Sequence, residues 1–224
     1  MSMEGTNESR YVLLIMNCKL YQHKAQAQRD GWLKTLSNTP YYHVIGDTKL
    51  TSDYVFDEEK RTLTINVEDD YNSLPKKVYC SYNACTEHFP NLQYIFKTDD
   101  DQELVASDAN AFFLSIRNML ERSENSSKVH YAGNIVDVKR PYFSQYHRIH
   151  PELPENMPIH RTKYCSGRFY VLSIEAIEDL LKKKTQICSE YLEDYAIGRY
   201  LDEIFKVDIR HLAANIFFKD IVFD

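Results

Sequence analysis

Tyr94-Ile95-Phe96-Lys97-Thr98-Asp99-Asp100-Asp101 sets a short apolar run directly against three successive carboxylates. Residues 93–98 read as a buried β-strand, because a run of this length rich in aromatic and β-branched residues suits a pleated surface. The triplet then falls at the strand's carboxyl end. Side chains alternate faces along a strand, so Asp99 and Asp101 are expected to project together while Asp100 points the other way. Neighbouring carboxylates repel one another, and an oxygen-seeking cation such as Mg²⁺ or Mn²⁺ relieves that repulsion while bridging phosphate oxygens. Taken alone, three aspartates are more often a solvated acidic turn; the apolar strand before them shifts the balance toward a site.

Strand and helix patterns alternate on both sides of this segment. Upstream, residues 11–16 are an apolar run suited to a buried strand, and an amphipathic stretch follows over about residues 21–36. Strands are expected at residues 42–46 and 62–67, and a helix over about residues 73–88 leads into the central strand. Downstream come a helix over residues 108–122, a strand near 130–136 and a proline-punctuated loop from 141 to 158, the expected mobile segment. A strand at 168–173, helices near 174–184 and 192–204 and a last strand over 206–212 complete the pattern. The expected fold is therefore a single α/β domain with a mostly parallel central sheet flanked by helices, over residues 11–224 after a flexible tail of residues 1–10. In such sheets ligands gather outside the carboxyl ends of the strands, where the triplet lies.

A chain of 224 residues with 43% hydrophobic residues suffices for one substantial core. The formal charge of −6 argues against a nucleic acid partner, whose backbone needs a basic stripe, and leaves an anionic ligand dependent on local cations or a metal. No apolar run approaches the roughly 20 residues of a membrane span, and the polar, acidic start carries no signal sequence. The five cysteines are odd in number, scattered and without a CxxC pair, which suits reduced thiols in a cytoplasm. The glycosylation sequons at Asn7 and Asn125 are read as accidental.

Three further features bear on chemistry. Glu193 and Asp194 fall in the first turn of a predicted helix, where acids are favoured by the dipole; a carboxylate kept ionised beside a substrate hydroxyl also serves as a general base. Gly167 lies at a loop-to-strand junction, where an ordinary turn or the close approach of a ligand each account for a glycine. His211 ends the last predicted strand and offers an imidazole to a metal.

In their order along the chain these motifs resemble the inverting β-1,3-galactosyltransferase and Fringe-like glycosyltransferase family, which has a GT-A fold. Lys97-Thr98-Asp99-Asp100-Asp101 is similar to the family's Lys-x-Asp-Asp-Asp form of the DxD motif. Tyr164-Cys165-Ser166-Gly167 and Glu193-Asp194 with Gly198 are similar to its Tyr-Cys-Ser-Gly block and its Glu-Asp-Val helix start. Arg29 and Trp32 match its Arg-x-x-Trp helix, and the segment from Asp70 to Lys76 resembles its Asp-Ser-Tyr-x-Asn-Leu-x-x-Lys stretch. The resemblance implies a UDP-sugar donor, a glycan or glycoconjugate acceptor and Mn²⁺ or Mg²⁺. It implies that Asp101 ligates the metal with Asp99 and His211, and that Asp99, Asp100, Arg29, Lys76 and Gly167 line the nucleotide-sugar site. Asp194 becomes the base, with Glu193 beside it.

Departures from the family pattern are as informative. Arg168-Phe169 stands where small glycines are usual, which narrows the expected donor pocket, and His211 follows Asp194 at a shorter spacing than usual. The family's membrane anchor and stem have no counterpart in the sequence, pointing to a bacterial or virus-encoded cytoplasmic enzyme. Two other functions use the same residues: a Mg²⁺-dependent nucleotidyl or phosphoryl transferase, weakened by the lack of a Walker A loop, and a non-catalytic nucleotide-sugar or carbohydrate-binding module.

Overall fold

The computed structural model describes residues 9–124 and 127–222; the sequon asparagines Asn7 and Asn125 and the expected tail up to residue 8 lie outside the described residues. Strand β1 (Tyr11–Met16) alternates between two cores: Val12, Leu14 and Met16 face one and Tyr11, Leu13 and Ile15 the other, all buried. The sheet is thus covered on both faces. Its order is β11-β7-β10-β5-β1-β2-β4-β3, built from β2 (Tyr41–Gly46), β3 (Tyr54–Asp57), β4 (Thr62–Ile65), β5 (Tyr94–Asp99), β7 (Tyr131–Val138), β10 (Thr162–Ser173) and β11 (Arg210–His211). Among the described residues, β3 and β10 run opposite to the other strands of this sheet. The mostly parallel α/β arrangement is the one expected.

Helices α2 (Leu74–His88), α4 (Ile174–Leu181) and α6 (Glu193–Tyr200) cover the first face, with Val78, Tyr82, Ile177 and Ile197 in its core. Helix α3 (Ala109–Glu124) and the segment around Trp32 cover the second, where Phe96, Phe112, Phe113, Phe169 and Phe218 pack as an aromatic cluster. Short helices α5 (Lys184–Ile187) and α7 (Ala214–Phe217) complete the order.

Several boundaries differ from the sequence expectation. The stretch 21–36 is not one helix: α1 (Gln22–Asp30) ends at Gly31, whose N–H closes on the Ala27 carbonyl, and a 3-10 turn (Trp32–Thr35) follows. Helix α6 stops at Tyr200 because Leu201 turns extended. Strand β3 pairs antiparallel with β4 through a turn that holds Arg61 at φ 51, a left-handed conformation that the sequence does not advertise with a glycine. Directly after the Asp triplet, β6 (Gln102–Leu104) pairs with β12 (Phe218–Asp220), bringing the end of the chain to the site.

The segment 141–158 is a folded flap rather than an irregular loop. Strand β8 (Tyr142–Phe143) pairs with β9 (Pro158–Ile159), a 3-10 turn spans Tyr146–Arg148, and Ser144 N–H donates to the Met157 carbonyl at 2.8 Å. Leu153 and Met157 of the flap, and Ile159 at its end, are buried.

Candidate active site

The site begins with a charge that the strand pattern places indoors. Lys97 falls on the α6 side of β5, and its ammonium is 1% exposed. It is satisfied three times over, by Asp99 Oδ1 at 2.7 Å, Glu193 Oε2 at 3.0 Å and the Gly167 carbonyl at 3.0 Å. A buried cation survives only when paired and hydrogen-bonded in this way. Burial alone would lower the Lys97 pKa, but Asp99 and Glu193 outweigh it and hold the ammonium above its usual value.

Strand β10 supplies the third contact because its pairing with β7 shifts register between Cys165 and Tyr170. The bulge turns backbone groups into the site. The Gly167 carbonyl meets Lys97, its N–H donates to Asp194 Oδ2 at 2.9 Å, and the Arg168 carbonyl accepts from Thr98 Oγ1 at 2.7 Å. A Cβ on Gly167 would lie 3.2 Å from the Lys97 ammonium and 3.5 Å from Asp99 Oδ2, so glycine here is set by the crowding of charged groups. Gly198 is tighter still. A Cβ there would meet Tyr164 Cβ at 2.1 Å, so its absence lets α6 lie against β10 and bring Glu193 to Lys97 and Asp194 to Gly167.

The two acids of α6 have separate fates. Glu193 is 4% exposed, held by Lys97 and by a short hydrogen bond from the Tyr170 hydroxyl, which in turn meets the Tyr82 hydroxyl. Burial raises its pKa against the pull of Lys97. Asp194 is half-buried, and its two oxygens accept from Gly167 N–H and Tyr195 N–H at 2.9 and 2.7 Å. Burial raises its pKa too, opposed chiefly by Lys97 and then by those N–H groups. Its charge acts on the phenols of Tyr71, Tyr146 and Tyr164, each raised first by burial.

The Asp triplet does not alternate as a strand would, because β5 ends at Asp99 and the next two residues turn. Asp99 faces Lys97, whereas Asp100 meets Lys24 of α1 at 3.5 Å and Asp101 accepts from Gln102 Nε2 at 2.7 Å. The expected pairing of Asp99 with Asp101 on one face is therefore replaced by a fan. Burial, then the charges of Glu193 and Asp101, push Asp99 up to about 6 against Lys97. Burial, then Asp101 and Asp99, push Asp100 up to about 7 against Lys24.

These carboxylates fit a hard divalent cation in their donor chemistry: oxygen only, mutually repelling and incompletely neutralised. Among the described residues no cluster of three or more His, Cys, Asp or Glu side chains is arranged to hold a metal unaided. Such an ion fits if substrate phosphates supply part of its shell, as Mg²⁺ sites commonly require.

Three expected site residues are not brought to the triplet. His211 is exposed on β11, and β7 and β10 intervene before β5, a separation of roughly 14 Å at strand spacing. Lys76 is exposed on the outer side of α2; its neighbour Lys77 turns inward, 2% exposed, to Asp69 and to the Asn17 carbonyl at 2.8 Å. Arg29 reaches His43 Nδ1 at 3.2 Å and the Lys60 carbonyl at 3.4 Å, near the middle of β2. From the same helix, Gln28 instead donates to the Asp99 and Gln102 carbonyls at 3.0 and 2.8 Å, and Trp32 Nε1 donates to the latter at 3.1 Å. Helix α1 thus braces the acidic turn from behind. Arg168 lies at the other flank, its guanidinium on Asp220 at 2.8 Å and on the Phe218 carbonyl at 3.1 Å.

The sequence assigns no role to Gln28 or Asp220, and it shows Lys97 only as a member of the Lys-x-Asp-Asp-Asp motif and as the one charge inside an apolar run.

A mostly parallel sheet with an acidic turn at the end of a central strand, faced by a helix that begins with two acids, is the frame of a GT-A nucleotide-sugar transferase domain. The galactosyltransferase family profile matches residues 24–213, and the chain belongs to that family. Among curated relatives, the UDP-GalNAc:beta-1,3-N-acetylgalactosaminyltransferase 1 of Sus scrofa is 27% identical over 152 residues, 67% of this chain and 43% of the relative. The protein of that name from Mus musculus is 25% identical over 179 residues, 72% of this chain and 51% of its own length. The chain therefore spans about half the length of the curated relatives it matches. Among solved structures, the 2-C-methyl-D-erythritol 4-phosphate cytidylyltransferase of Francisella tularensis aligns with a TM-score of 0.42 and 11% identity over 91% of this chain and 90% of its own. No described helix is long and apolar enough to cross a membrane.

Proposed function

We propose that residues 11–224 form one glycosyltransferase domain that moves a sugar from a UDP-sugar donor to a hydroxyl of a glycan or glycoconjugate acceptor, with inversion at the anomeric carbon. The observation that carries this reading is the placement of Asp194. Two backbone N–H groups aim its carboxylate, and Lys97 ties its neighbour Glu193 to Asp99 at the end of β5. A base and an acidic turn are thus held in one rigid arrangement at the end of β5, as the positioning of a single displacement requires.

In this scheme Asp194 accepts the proton of the acceptor hydroxyl as that oxygen attacks. Its raised pKa makes it a better proton acceptor than a free aspartate. Glu193 is a positioning residue: its oxygens are consumed by Lys97 and Tyr170, so it holds the start of α6 in place. Asp101, with Asp99 and Asp100 beside it, would hold Mn²⁺ or Mg²⁺ together with the diphosphate. When bound, that cation supplies Lewis-acid neutralisation of the departing diphosphate. Gln28, Trp32 and the β6–β12 pair keep the acidic turn from moving as charge develops.

UDP release measured over a panel of UDP-sugars, with and without Mn²⁺, tests the proposal. At least one donor is expected to be turned over, with Mn²⁺ required and the product's anomeric configuration inverted by NMR. A chain that releases UDP from no donor, with or without glycan acceptors, overturns it.

A further inference from the structure

The flap carries aromatic rings that the proposed chemistry does not use, and it is fixed next to the start of α6, where His160 N–H, directly after β9, donates to the Tyr195 hydroxyl at 2.9 Å. His150 stacks on Tyr71 with ring centroids 4.3 Å apart and planes inclined by 13°. Tyr146 lies parallel to the same imidazole, 6.0 Å away and inclined by 5°. The three rings come from two segments and form one ladder. It is pinned on both sides: Asn72 Nδ2 donates to the Glu152 carbonyl at 3.1 Å, and His150 N–H donates to the Tyr146 carbonyl at 2.9 Å. Tyr146 is 49% exposed, so an aromatic surface remains open at the end of the ladder.

The ladder lies within electrostatic reach of Asp194. Tyr71 follows Asp69 and Asp70 in the loop before α2, and it feels the charges of Asp194, Asp99 and Lys97. Tyr146 feels Asp194 next after its own burial, as does Tyr164 of β10, which sits three residues before Gly167. Tyr164 also lies edge-on to the ring of Tyr195, the residue after Asp194, with centroids 6.1 Å apart, so phenols of β10 and of the flap share the side of the site where α6 begins.

We propose that the Tyr71–His150–Tyr146 ladder is the acceptor subsite, taking the C–H face of a pyranose ring so that one of its hydroxyls is presented to Asp194. The inference rests on Asp194 being the base. Pyranoses expose weakly positive C–H bonds on a face, and an aromatic ring presents a negative face to receive them. The hydroxyls at the sugar's edge remain free to meet a carboxylate. Sugars with contiguous C–H bonds on one side, such as β-galactosides, match an open ring best. The flap's internal pairing makes this surface largely pre-formed, so little ordering entropy opposes binding.

Saturation-transfer NMR with methyl β-D-galactopyranoside, methyl β-D-glucopyranoside and methyl α-D-mannopyranoside tests the subsite, with UDP calorimetry run in parallel. At least one glycoside is expected to receive saturation at its ring C–H protons from the wild-type chain. Tyr146→Ala should reduce that signal by about fivefold or more, while Tyr146→Phe keeps it, because the ring rather than the hydroxyl makes the contact. UDP affinity should be the same in all three proteins. Absence of ring saturation with every glycoside, or an undiminished signal in Tyr146→Ala, overturns the subsite. Loss of UDP affinity in Tyr146→Ala also overturns it, by assigning the ladder to the nucleotide. Failure of the wild-type chain to bind UDP would instead strike the transferase reading, and the glycoside signals would still decide whether the ladder takes a sugar.

Discussion

Replacing Lys97 with methionine keeps an unbranched side chain, one atom shorter, and removes the charge on which the site is assembled. Its ammonium is 1% exposed and bridges Asp99 at 2.7 Å and Glu193 at 3.0 Å. Without it, Glu193 keeps only the Tyr170 hydroxyl among those partners, and Asp99 loses the main influence holding its pKa down. Removing one partner of a buried pair costs about 3–5 kcal/mol, because the other charge is left uncompensated. For a chain of this size each kcal/mol lowers Tm by about 2–4 °C, so the expected loss is roughly 6–20 °C at pH 8.

The pH dependence has a definite sign. Asp99 already has a folded pKa of about 6, above the unfolded aspartate, and loss of Lys97 raises both carboxylates further. A native state that holds more protons than the unfolded one loses stability as pH rises through the folded pKa. The deficit of Lys97→Met should therefore shrink at pH 5.5, where the orphaned carboxyls are protonated, and grow at pH 8. Thermal unfolding of both proteins at the two pH values measures it. A Tm loss below about 2 °C at pH 8, or one equal at both pH values, would refute the claim that this lysine neutralises buried carboxylates.

Asp194→Asn preserves shape and removes a proton acceptor; kcat should fall by at least about 10²-fold while calorimetric UDP affinity holds, and near-normal turnover would return Asp194 to an acid favoured only by the helix dipole. UDP and Mn²⁺ should bind interdependently at the triplet, so chelation or Asp101→Ala should each weaken UDP binding; unchanged affinity would sink the metal bridge. Gly198→Ala must force Tyr164 and α6 apart, since the new Cβ would lie 2.1 Å from Tyr164 Cβ. A destabilisation of about 1–3 kcal/mol or more is expected in denaturant unfolding, and an unaltered midpoint would show that the helix packs less closely than described.

Much of the frame is legible along the chain because it is local. The alternation of Val12, Leu14 and Met16 against Leu13 and Ile15 identifies β1 as a strand buried on both faces. The acidic triplet marks the end of β5; at Gly167 the sequence allows a turn or a close approach and at Gly198 it shows only a motif glycine, and the structure makes both close approaches. Where the reading fell short, non-local pairing decided. Strands β6 and β12 are each too short to announce themselves and exist because residues more than a hundred positions apart pair. The flap's prolines mask a two-residue pairing, so its sequence reads as an irregular loop.

The order of motifs by itself determined the family, the sheet-and-helix alternation and the two acidic elements at which chemistry is expected. Only the tertiary structure decided which side chains meet. It separated Glu193 from Asp194, sent Lys77 rather than Lys76 inward, left His211 across two strands from β5, and gathered Tyr71, His150 and Tyr146 into one ladder. The physical reason is that a residue's type constrains what it can do, whereas burial, charge pairing and ring stacking depend on partners from distant segments. The Lys97 ammonium shows this plainly: its contacts come from Asp99 two residues away, but also from Gly167 and Glu193 on other elements, and no spacing along the chain encodes their convergence.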